Sequence, residues 1–338
     1  MQRTVETTDL AVQVVAPSRL HFGLLAFGRD SSRQFGGVGV MIDRPATEVV
    51  VDLPAGRSAD AASALDVEQR AIAFAQQFRQ NLQARDRSDV LGRLRVRVMQ
   101  HAPQHIGLGS GTQLALSVAR GLSLWAGTSD APAAELARRV GRGRRSGIGV
   151  HGFHVGGFIV EGGKRDRDAI SPLVARLDFP ADWHFVLVMP AGARGLHGAA
   201  EREAFEALES LAPSVTADLC RLTLLGLLPT LADHDFDGFS VALGEFGRKA
   251  GECFARLQGG VYSSPLAAPV IEFLRRNGVH GVAQSSWGPT LAAVTDSRFR
   301  AEWIAARLPD VIGPEAAEIV CTPASNVGAR TKLLRSGR

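Results

Sequence analysis

The chain has 338 residues, 45% of them hydrophobic, which is enough to build two domains with separate cores. The N-terminal residues are polar and lack the apolar core of a signal sequence, and no later apolar stretch approaches the length of a membrane span, so we expect a cytoplasmic protein with no membrane partner. Three widely separated cysteines, Cys220, Cys253 and Cys321, indicate neither a disulfide framework nor a zinc cluster.

The net charge is +4 and the isoelectric point is near 9.4, values that raise the question of a nucleic-acid partner. The basic residues are interspersed with acids, aromatic residues make up only 6%, and no familiar nucleic-acid-binding module is present, so we expect none. All but three of the basic residues are arginines, whose planar guanidinium suits phosphate and carboxylate groups. The composition therefore favours small anionic ligands.

The first predicted strand runs from Leu10 to Val15 and ends at Pro17, because proline interrupts a regular hydrogen-bonded strand. Arg19 and His21 then project from the following segment, either as a surface pair or as part of an anion site. Two further strands and a long helix are predicted before residue 83, at 38–42, at 48–53 and from Val67 to Leu82.

A strand, a glycine-rich loop and a helix follow one another between residues 94 and 125. Residues 94–98 alternate as in a strand, and Leu114 begins a run of apolar residues at helical spacing. The pattern predicts a phosphate-binding loop over 103–113, because glycines leave backbone N–H groups accessible at a helix start that Ser110 or Thr112 can cap. The alternative is that the glycines only shape a tight connection. The candidate ligand-binding residues are Gly107, Leu108, Gly109, Ser110, Gly111 and Thr112.

The stretch 141–160 follows a predicted helix at 131–140, capped by Asp130, and combines many glycines with three arginines. These arginines are Arg142, Arg144 and Arg145. They form either a solvated face or a preformed anion clamp, and the glycines that hold them favour the clamp. His151 and His154 have no fixed third partner, so we predict a hydrogen-bonding role for them and assign no metal ligands.

The polar segment 162–168 predicts a boundary between a domain at 1–168 and a second domain at 169–338. Arg194 and His197, after the first strand of the second domain, face either the site or solvent. The predicted strands of this domain are 185–189, two on either side of a polar turn within 279–294, and 318–322. The predicted helices are about 199–209, 214–232, 236–255, 265–277 and 297–308. This order is typical of a ferredoxin-like domain.

The run Pro103-x-x-x-Gly107-Leu108-Gly109-Ser110 resembles the phosphate loop of the GHMP kinase superfamily, and residues 16–20 and 284–289 lie where that superfamily has its first and third motifs. The resemblance implies a two-domain α+β fold, with a ribosomal-S5-domain-2-like N-terminal domain and a ferredoxin-like C-terminal domain. Galactose- and mevalonate-type kinases carry a catalytic aspartate in Ser-Gly-x-Asp, but here the fourth position is Gly149, which cannot act as a base.

Residues 17–22, 141–163 and 284–289 are more closely similar to the β-ribofuranosylaminobenzene 5'-phosphate synthase family. This resemblance implies an enzyme of tetrahydromethanopterin biosynthesis that condenses phosphoribosyl pyrophosphate with 4-aminobenzoate and releases CO2 and pyrophosphate, with Mg²⁺ as the expected cofactor. The residues do not distinguish 4-aminobenzoate from 4-hydroxybenzoate. A homodimer is expected because symmetric pairs are the commonest assemblies.

The resemblance also implies roles for particular residues. The loop amides, the arginine run and Mg²⁺ would bind the pyrophosphate and the 5'-phosphate, and Arg19 or His21 would orient the arene carboxylate. The expected catalytic residues are Arg19, His21, Arg144 and Arg145, and the expected substrate-binding residues beyond the loop are Arg142, His151, His154, Ser285, Ser286 and Trp287. Trp287 is either a stacking surface for the arene or a core residue. An ATP-dependent small-molecule kinase and a non-catalytic anion-binding protein are the alternative functions.

Overall fold

The computed structural model describes residues 10–28, 32–54, 66–82, 89–128, 131–166, 169–196 and 198–335. The predicted cap Asp130 lies outside the described residues, as do His197, for which the sequence left a site or a solvent position open, and residues 167–168 of the predicted domain boundary. The described strands are β1 (Leu10–Leu24), β2 (Gly37–Asp52), β3 (Arg95–Gln100), β4 (Phe158–Glu161), β5 (Leu173–Leu177), β6 (His184–Pro190), β7 (Val282–Gln284), β8 (Leu291–Thr295), β9 (Ala317–Pro323) and β10 (Arg330–Arg335).

The described helices cover both halves of the chain. They are α1 (Asp66–Gln80), α2 (Asp89–Arg93), α3 (Ser110–Trp125), α4 (Ala133–Arg139), α5 (Ile148–Val155), α6 (Gly198–Ala207), α7 (Pro213–Leu222), α8 (Leu228–Ala232), α9 (Phe236–Glu252), α10 (Ala255–Gln258), α11 (Ala267–Arg276) and α12 (Arg298–Ile312), with a π-helical turn, Thr223–Leu227, joining α7 to α8. The predicted helices of the second half correspond to α6, α7 to α8, α9, α11 and α12.

The larger sheet is antiparallel and has the order β10-β1-β2-β4-β5, with β3 paired to the second half of β2. The predicted strand end at Pro17 is wrong, since β1 continues through this residue to Leu24. A register shift between Ala16 and Ser18 leaves Pro17 outside the regular ladder, where its missing N–H costs nothing. The strands predicted at 38–42 and 48–53 are likewise one strand, β2.

Helices α1, α3, α4 and α5 cover one face of this sheet. The predicted apolar positions Phe74 and Phe78 of α1 and Leu114 of α3 pack in the same buried cluster as Val49 and Val51 of β2. The helical spacing therefore identified the buried faces correctly. Helix α3 begins at Ser110, four positions before the apolar run, so its first turn is formed by the glycine-rich loop itself.

The second sheet is also antiparallel and has the order β7-β8-β6-β9, which together with its flanking helices is the predicted ferredoxin-like arrangement. Residues of β6 alternate between two cores: Phe185 and Leu187 pack with Leu20 and Phe22 of β1, whereas Val186 packs with α11 and α12. A shared apolar core thus joins the two sheets and holds β1 against the second half of the chain.

The predicted domain boundary falls in the connection between β4 and β5, within the larger sheet. β5 follows residue 168 but pairs with β4, and β10 at the end of the chain pairs with β1. The larger sheet therefore includes segments from both predicted domains.

One described helical run is long and apolar enough to cross a membrane by length and composition alone, which the sequence analysis did not anticipate. It is Pro213–Ala232, with a mean hydropathy of 1.4. In this fold Leu219, Leu222 and Leu227 of the run pack in the core shared by the two sheets.

Candidate active site

The glycine-rich loop leads into α3 through two residues in the left-handed region. Gly107 has φ +94° and Gly109, the N-cap of α3, has φ +67°. No side chain caps this helix, so the predicted capping role of Ser110 or Thr112 is wrong; the N–H groups of Thr112 and Gln113 instead bond to the Gly109 carbonyl, at 2.9 and 3.1 Å. An uncapped helix start favours an anion, as predicted for this loop.

The glycines are required because other parts of the protein pack directly on the loop. A Cβ atom on Gly107 would lie 2.1 Å from the Ser285 carbonyl oxygen, and one on Gly109 would lie 3.3 Å from Nε of Arg19. A Cβ atom on Gly111 would lie 2.8 Å from Nη2 of Arg70 and 3.5 Å from Nη2 of Arg142. The space beside the loop glycines is therefore occupied by the Ser285 backbone and by the guanidinium groups of Arg19, Arg70 and Arg142.

Three motifs that are far apart in the sequence meet at this loop, and we call their meeting point the motif junction (Arg19, His21, Gly107–Gly109 and Ser285). Nη1 of Arg19 donates to the Gly107 carbonyl at 3.1 Å, and the Arg19 N–H donates to the Leu108 carbonyl at 3.0 Å. The Ser285 hydroxyl donates to the Gly107 carbonyl at 2.7 Å and accepts the His21 N–H at 3.0 Å. Arg19 of the first motif therefore bonds to the glycine-rich loop, and Ser285 of the third motif bonds both to this loop and to His21. Arg19 and His21 are both residues of β1.

Burial determines the charges at the motif junction. It lowers the pKa of Arg19 to about 10, which leaves the guanidinium cationic at neutral pH, while nearby Glu161 and Glu201 act in the opposite direction. Burial and the charge of Arg19 lower the pKa of His21 to about 3, so its imidazole is neutral. Neither ring nitrogen of His21, nor Nε of Arg19, has a hydrogen-bond partner among the residues that the structure describes.

The arginine loop (residues 141–147) directs two of its three arginines toward the same region. Arg142 lies over the Phe74 ring, 4.8 Å from the centroid, and burial lowers its pKa to about 10. Arg145 lies over the Phe205 ring at 5.2 Å, and its Nη2 pairs with Glu201 at 2.7 Å. The side chain of Arg144 is exposed, so its position gives no support to the predicted catalytic role.

Four residues near these arginines were not predicted from the sequence. Arg70 of α1 lies beside Arg142 over the start of α3, and burial lowers its pKa. Glu161, Lys164 and Glu201 bond to the arginine loop or to its arginines. The sequence carries only one weak signal for any of them, which is that Arg70 lies one helical turn before the buried Phe74.

The remaining predicted site residues lie near the motif junction in less accessible or more peripheral positions. Ser286 has φ +56° and donates its N–H to the His21 carbonyl at 2.8 Å. Trp287 is 7% exposed and packs against Phe254, with ring centroids 4.7 Å apart, which favours its role as a core residue. His151 bonds through Nε2 to the Ser171 carbonyl at 2.7 Å, and the His154 side chain is exposed.

The described residues contain no group of three or more His, Cys, Asp or Glu side chains able to hold a metal ion. Mg²⁺ bound mainly by phosphate oxygens needs no such group, so the expected Mg²⁺ stays a prediction. A separate cavity of about 190 Å³ lies between α9, α11 and β7 and is lined by Arg248, Tyr262 and His280 among others. Its lining includes no motif residue.

Solved structures of known proteins have the same fold. Homoserine kinase from Cytophaga hutchinsonii superposes with a TM-score of 0.64 at 16% identity, covering 98% of this chain and 99% of that one. Mevalonate pyrophosphate decarboxylase from Streptococcus pyogenes gives a TM-score of 0.64 at 12% identity, covering 93% and 96%. These likenesses establish the fold alone.

Sequence comparisons identify the family. The models of the GHMP kinases N terminal domain and the GHMP kinases C terminal domain match residues 69–157 and 227–312. The β-ribofuranosylphenol 5'-phosphate synthase of Archaeoglobus fulgidus is 30% identical over 83% of this chain and 87% of the relative. That of Methanothermobacter thermautotrophicus is 30% identical over 93% of this chain and 96% of the relative. The chain therefore belongs to the β-ribofuranosylphenol 5'-phosphate synthase family, within the GHMP kinase fold group.

Proposed function

We propose that this enzyme condenses phosphoribosyl pyrophosphate with a 4-substituted benzoate and releases CO2 and pyrophosphate, as a step in methanopterin-type cofactor synthesis. The names of its relatives denote a ribofuranosylphenol product, which corresponds to 4-hydroxybenzoate. The resemblance of residues 17–22, 141–163 and 284–289 to the aminobenzene-type synthases implied 4-aminobenzoate instead. Both acids would undergo the same bond formation, since each has a para donor group that enriches the ring carbon bearing the carboxylate.

The reaction requires positive charge in the protein and no general base. The ring carbon bearing the carboxylate attacks the anomeric carbon as its bond to pyrophosphate breaks, and pyrophosphate leaves with the electron pair. The bond to the carboxylate then breaks, CO2 leaves, and its bonding electrons restore the aromatic ring. The carboxylate of the benzoate loses one negative charge when it leaves as neutral CO2, and the departing pyrophosphate gains one. The charges therefore balance without removal of a proton. Glycine at position 149 is compatible with this chemistry.

The observation that carries the proposal is the cluster of partly buried arginines around the start of α3 and the arginine loop, which outnumber the carboxylates near them. Four arginines, Arg19, Arg70, Arg142 and Arg145, lie there against three carboxylates that act on them, Asp66, Glu161 and Glu201. Nε of Arg142 and Nη1 of Arg145 are buried and, within the described part of the chain, have no hydrogen-bond partner. Like charges held together in this way are stabilised by a polyanion, and the pyrophosphate of the substrate is one.

The positions of these residues favour different roles. Arg70 and Arg142 lie over the uncapped helix start, and Arg145 lies near enough to Arg142 to lower its pKa, so the three would bind the pyrophosphate as its negative charge increases. Arg19 contacts the loop at Gly107 and Gly109, where its guanidinium would orient the arene carboxylate, and the neutral His21 lies near it. In the free enzyme Glu201 pairs with Arg145, so an arriving pyrophosphate would replace this carboxylate as its partner.

Mg²⁺ enters the proposal as part of the substrate, bound to the pyrophosphate oxygens. Mg²⁺ usually keeps several waters and takes one or two carboxylates together with phosphate oxygens, so it needs no all-protein site. When bound, it supplies charge neutralisation to the departing pyrophosphate. We also propose that the enzyme acts in the cytoplasm as a homodimer, without a nucleic-acid or membrane partner.

The test measures labelled CO2 released from carboxyl-labelled 4-hydroxybenzoate and, in a separate tube, from 4-aminobenzoate. Each tube contains purified protein, Mg²⁺ and phosphoribosyl pyrophosphate, and parallel tubes contain ATP in its place. Release that requires phosphoribosyl pyrophosphate is the expected result, and the faster acid identifies the arene. No release from either acid would overturn the proposal, and phosphoryl transfer from ATP to a small alcohol would replace it with the kinase function.

A further inference from the structure

Two buried ionisable side chains lie beneath the arginine loop. Glu161, the last residue of β4, is 0% exposed, and Lys164, three residues later, is 4% exposed. Side chains that carry charge are almost never buried so deeply unless they are bonded. Both bond to the same short loop, the one that bears Arg142 and Arg145.

Glu161 holds the second half of the arginine loop through its two carboxylate oxygens. Oε1 accepts the Ser146 hydroxyl at 2.5 Å, and Oε2 accepts the Gly147 N–H at 2.6 Å. A Cβ atom on Gly147 would lie 2.9 Å from Oε2, so glycine is needed for this close approach. Gly147 is the N-cap of α5, and the carboxylate therefore fixes the point at which the loop becomes a helix.

Lys164 holds the first half of the loop through the opposite kind of group. Its ammonium donates to the carbonyls of Gly143, at 3.3 Å, of Arg144, and of Ala169, at 3.0 Å. The backbone of Lys164 is itself held by two hydrogen bonds with Gln34, at 2.8 and 2.9 Å. The carbonyls of Gly143 and Arg144, before Arg145, thus bond to Lys164. The donors of Ser146 and Gly147, after Arg145, bond to Glu161, three residues before Lys164.

The two contacts together fix the backbone on both sides of Arg145. Burying two charged groups costs free energy that an apolar pair would not, so stability alone does not account for them. A guanidinium contributes most to binding an anion when its position is set before the ligand arrives. We propose that Glu161 and Lys164 are positioning residues for the arginine loop, which hold the guanidinium groups of Arg142 and Arg145 in place for the pyrophosphate of the substrate. This inference rests on the proposed function.

The test uses the variants Glu161→Gln and Lys164→Met in the full chain. We expect each to raise the KM for phosphoribosyl pyrophosphate at least tenfold and to weaken the binding of inorganic pyrophosphate, measured by calorimetry, by a similar factor. The KM for the arene should change less than threefold in Lys164→Met, because Arg19 lies on β1 and not on the loop. Glu161 also acts on the charge of Arg19, so the arene KM is a control for Lys164→Met only. Lys164→Arg, which keeps the charge and the donors, should recover most of the loss.

Asp52→Asn is the matched control. Asp52 is a buried carboxylate of the same sheet, but it bonds to Arg95 at 3.0 Å and to Arg97 at 2.7 Å instead of to the arginine loop. The Asp52→Asn substitution should lower the melting temperature without changing the KM for phosphoribosyl pyrophosphate or for the arene. If Glu161→Gln or Lys164→Met fails to fold, Ser146→Ala removes one of the two bonds to Glu161 and should still weaken pyrophosphate binding threefold or more.

The outcomes separate the two proposals. Folded Glu161→Gln and Lys164→Met proteins that bind inorganic pyrophosphate as tightly as the wild type would overturn the positioning role, as would an unchanged Ser146→Ala variant if the others do not fold. A wild-type protein that binds inorganic pyrophosphate but gives no turnover would overturn the proposed function and leave the positioning role supported by its binding data.

Discussion

The hydroxyl of Ser285 donates to the carbonyl oxygen of Gly107 at 2.7 Å, so a turn in the second half of the chain is bonded directly to the glycine-rich loop in the first half. The same hydroxyl accepts the N–H of His21 at 3.0 Å. Because Ser285 is 0% exposed, water cannot replace these bonds without opening the motif junction.

Ser285→Ala should therefore destabilise the protein by about 1 to 3 kcal/mol, because the buried His21 N–H loses its acceptor. It should also raise the KM for phosphoribosyl pyrophosphate, since the loop loses one of its supports. Urea unfolding and steady-state kinetics measure the two effects. Ser214→Ala, on the exposed first turn of α7, should stay within about 0.5 kcal/mol of the wild type. Equal stabilities of the two variants would contradict this prediction.

Gly288→Ala should be among the most damaging single methyl additions. A Cβ atom there would lie 2.1 Å from the Ile106 carbonyl carbon and 2.2 Å from the Gly107 nitrogen, and backbone atoms cannot move aside as a side chain can. We expect a loss of stability of about 3 kcal/mol or more, or no soluble protein. Gly92→Ala in α2, where nothing lies within 4 Å, should be neutral or stabilising by up to about 1 kcal/mol. Thermal unfolding of both variants provides the comparison.

Hydrophobic spacing was enough to predict most elements of the fold, because buried faces repeat at helical or strand periods. The face of α1 with Phe74 and Phe78 and the strand containing Phe185 are examples. The length of β1 was not predictable in this way, because a bulge accommodates Pro17 only when β2 is paired beside it.

Site residues that belong to a local sequence motif were predicted, whereas residues that only tertiary packing brings to the site were not. Glycines 107 and 109 were identified, although the structure shows that they accommodate protein segments as well as exposing the helix start. Arg70 and Glu161 come from an ordinary amphipathic helix and an ordinary buried strand, and only folding brings them to the arginine loop or the helix start. The exposed Arg144 shows the converse, since adjacency to Arg145 does not determine the direction of a side chain.

Arg145→Ala and Arg144→Ala should differ strongly in their effect on pyrophosphate binding. Arg145 is half-buried with an unpartnered Nη1, whereas Arg144 is exposed. We expect Arg145→Ala to cost about 2 to 4 kcal/mol in kcat/KM for phosphoribosyl pyrophosphate, as for a buried charge-assisted contact, and Arg144→Ala to cost less than about 0.5 kcal/mol. Equal losses in the two variants would show that the loop adopts another orientation when substrate binds.

The stability of the wild type relative to Glu161→Gln should depend on pH in a definite direction. Burial raises the pKa of Glu161 to about 7, above its ordinary value of 4.5, so between these values the folded protein binds a proton that the unfolded chain has lost. The stability contributed by this group is thus complete below pH 4.5 and decreases as the pH rises through 7. The difference in unfolding free energy should change by at most about 1.4 kcal/mol per pH unit.

Urea unfolding of the two proteins at pH 5, 6, 7 and 8 tests this prediction. His21 has the opposite effect, because its lowered pKa of about 3 makes the wild type lose stability as the pH falls below 6.5, but this contribution is present in both proteins and cancels in their difference. A difference that stays constant from pH 5 to 8 would place the pKa of Glu161 near its ordinary value.

Removal of Mg²⁺ should abolish turnover without weakening the free protein. No group of three or more metal-binding side chains occurs in the part of the chain that the structure describes, so we expect the free protein to fold without a resident ion. With EDTA in excess, CO2 release should stop and return on addition of Mg²⁺, while the melting temperature of the substrate-free protein should shift by less than about 1 °C, as expected when no ligand binds the native state. A melting temperature that falls with EDTA in the absence of substrate would instead indicate a protein-held ion, and the substrate-borne Mg²⁺ of the proposed function would be wrong.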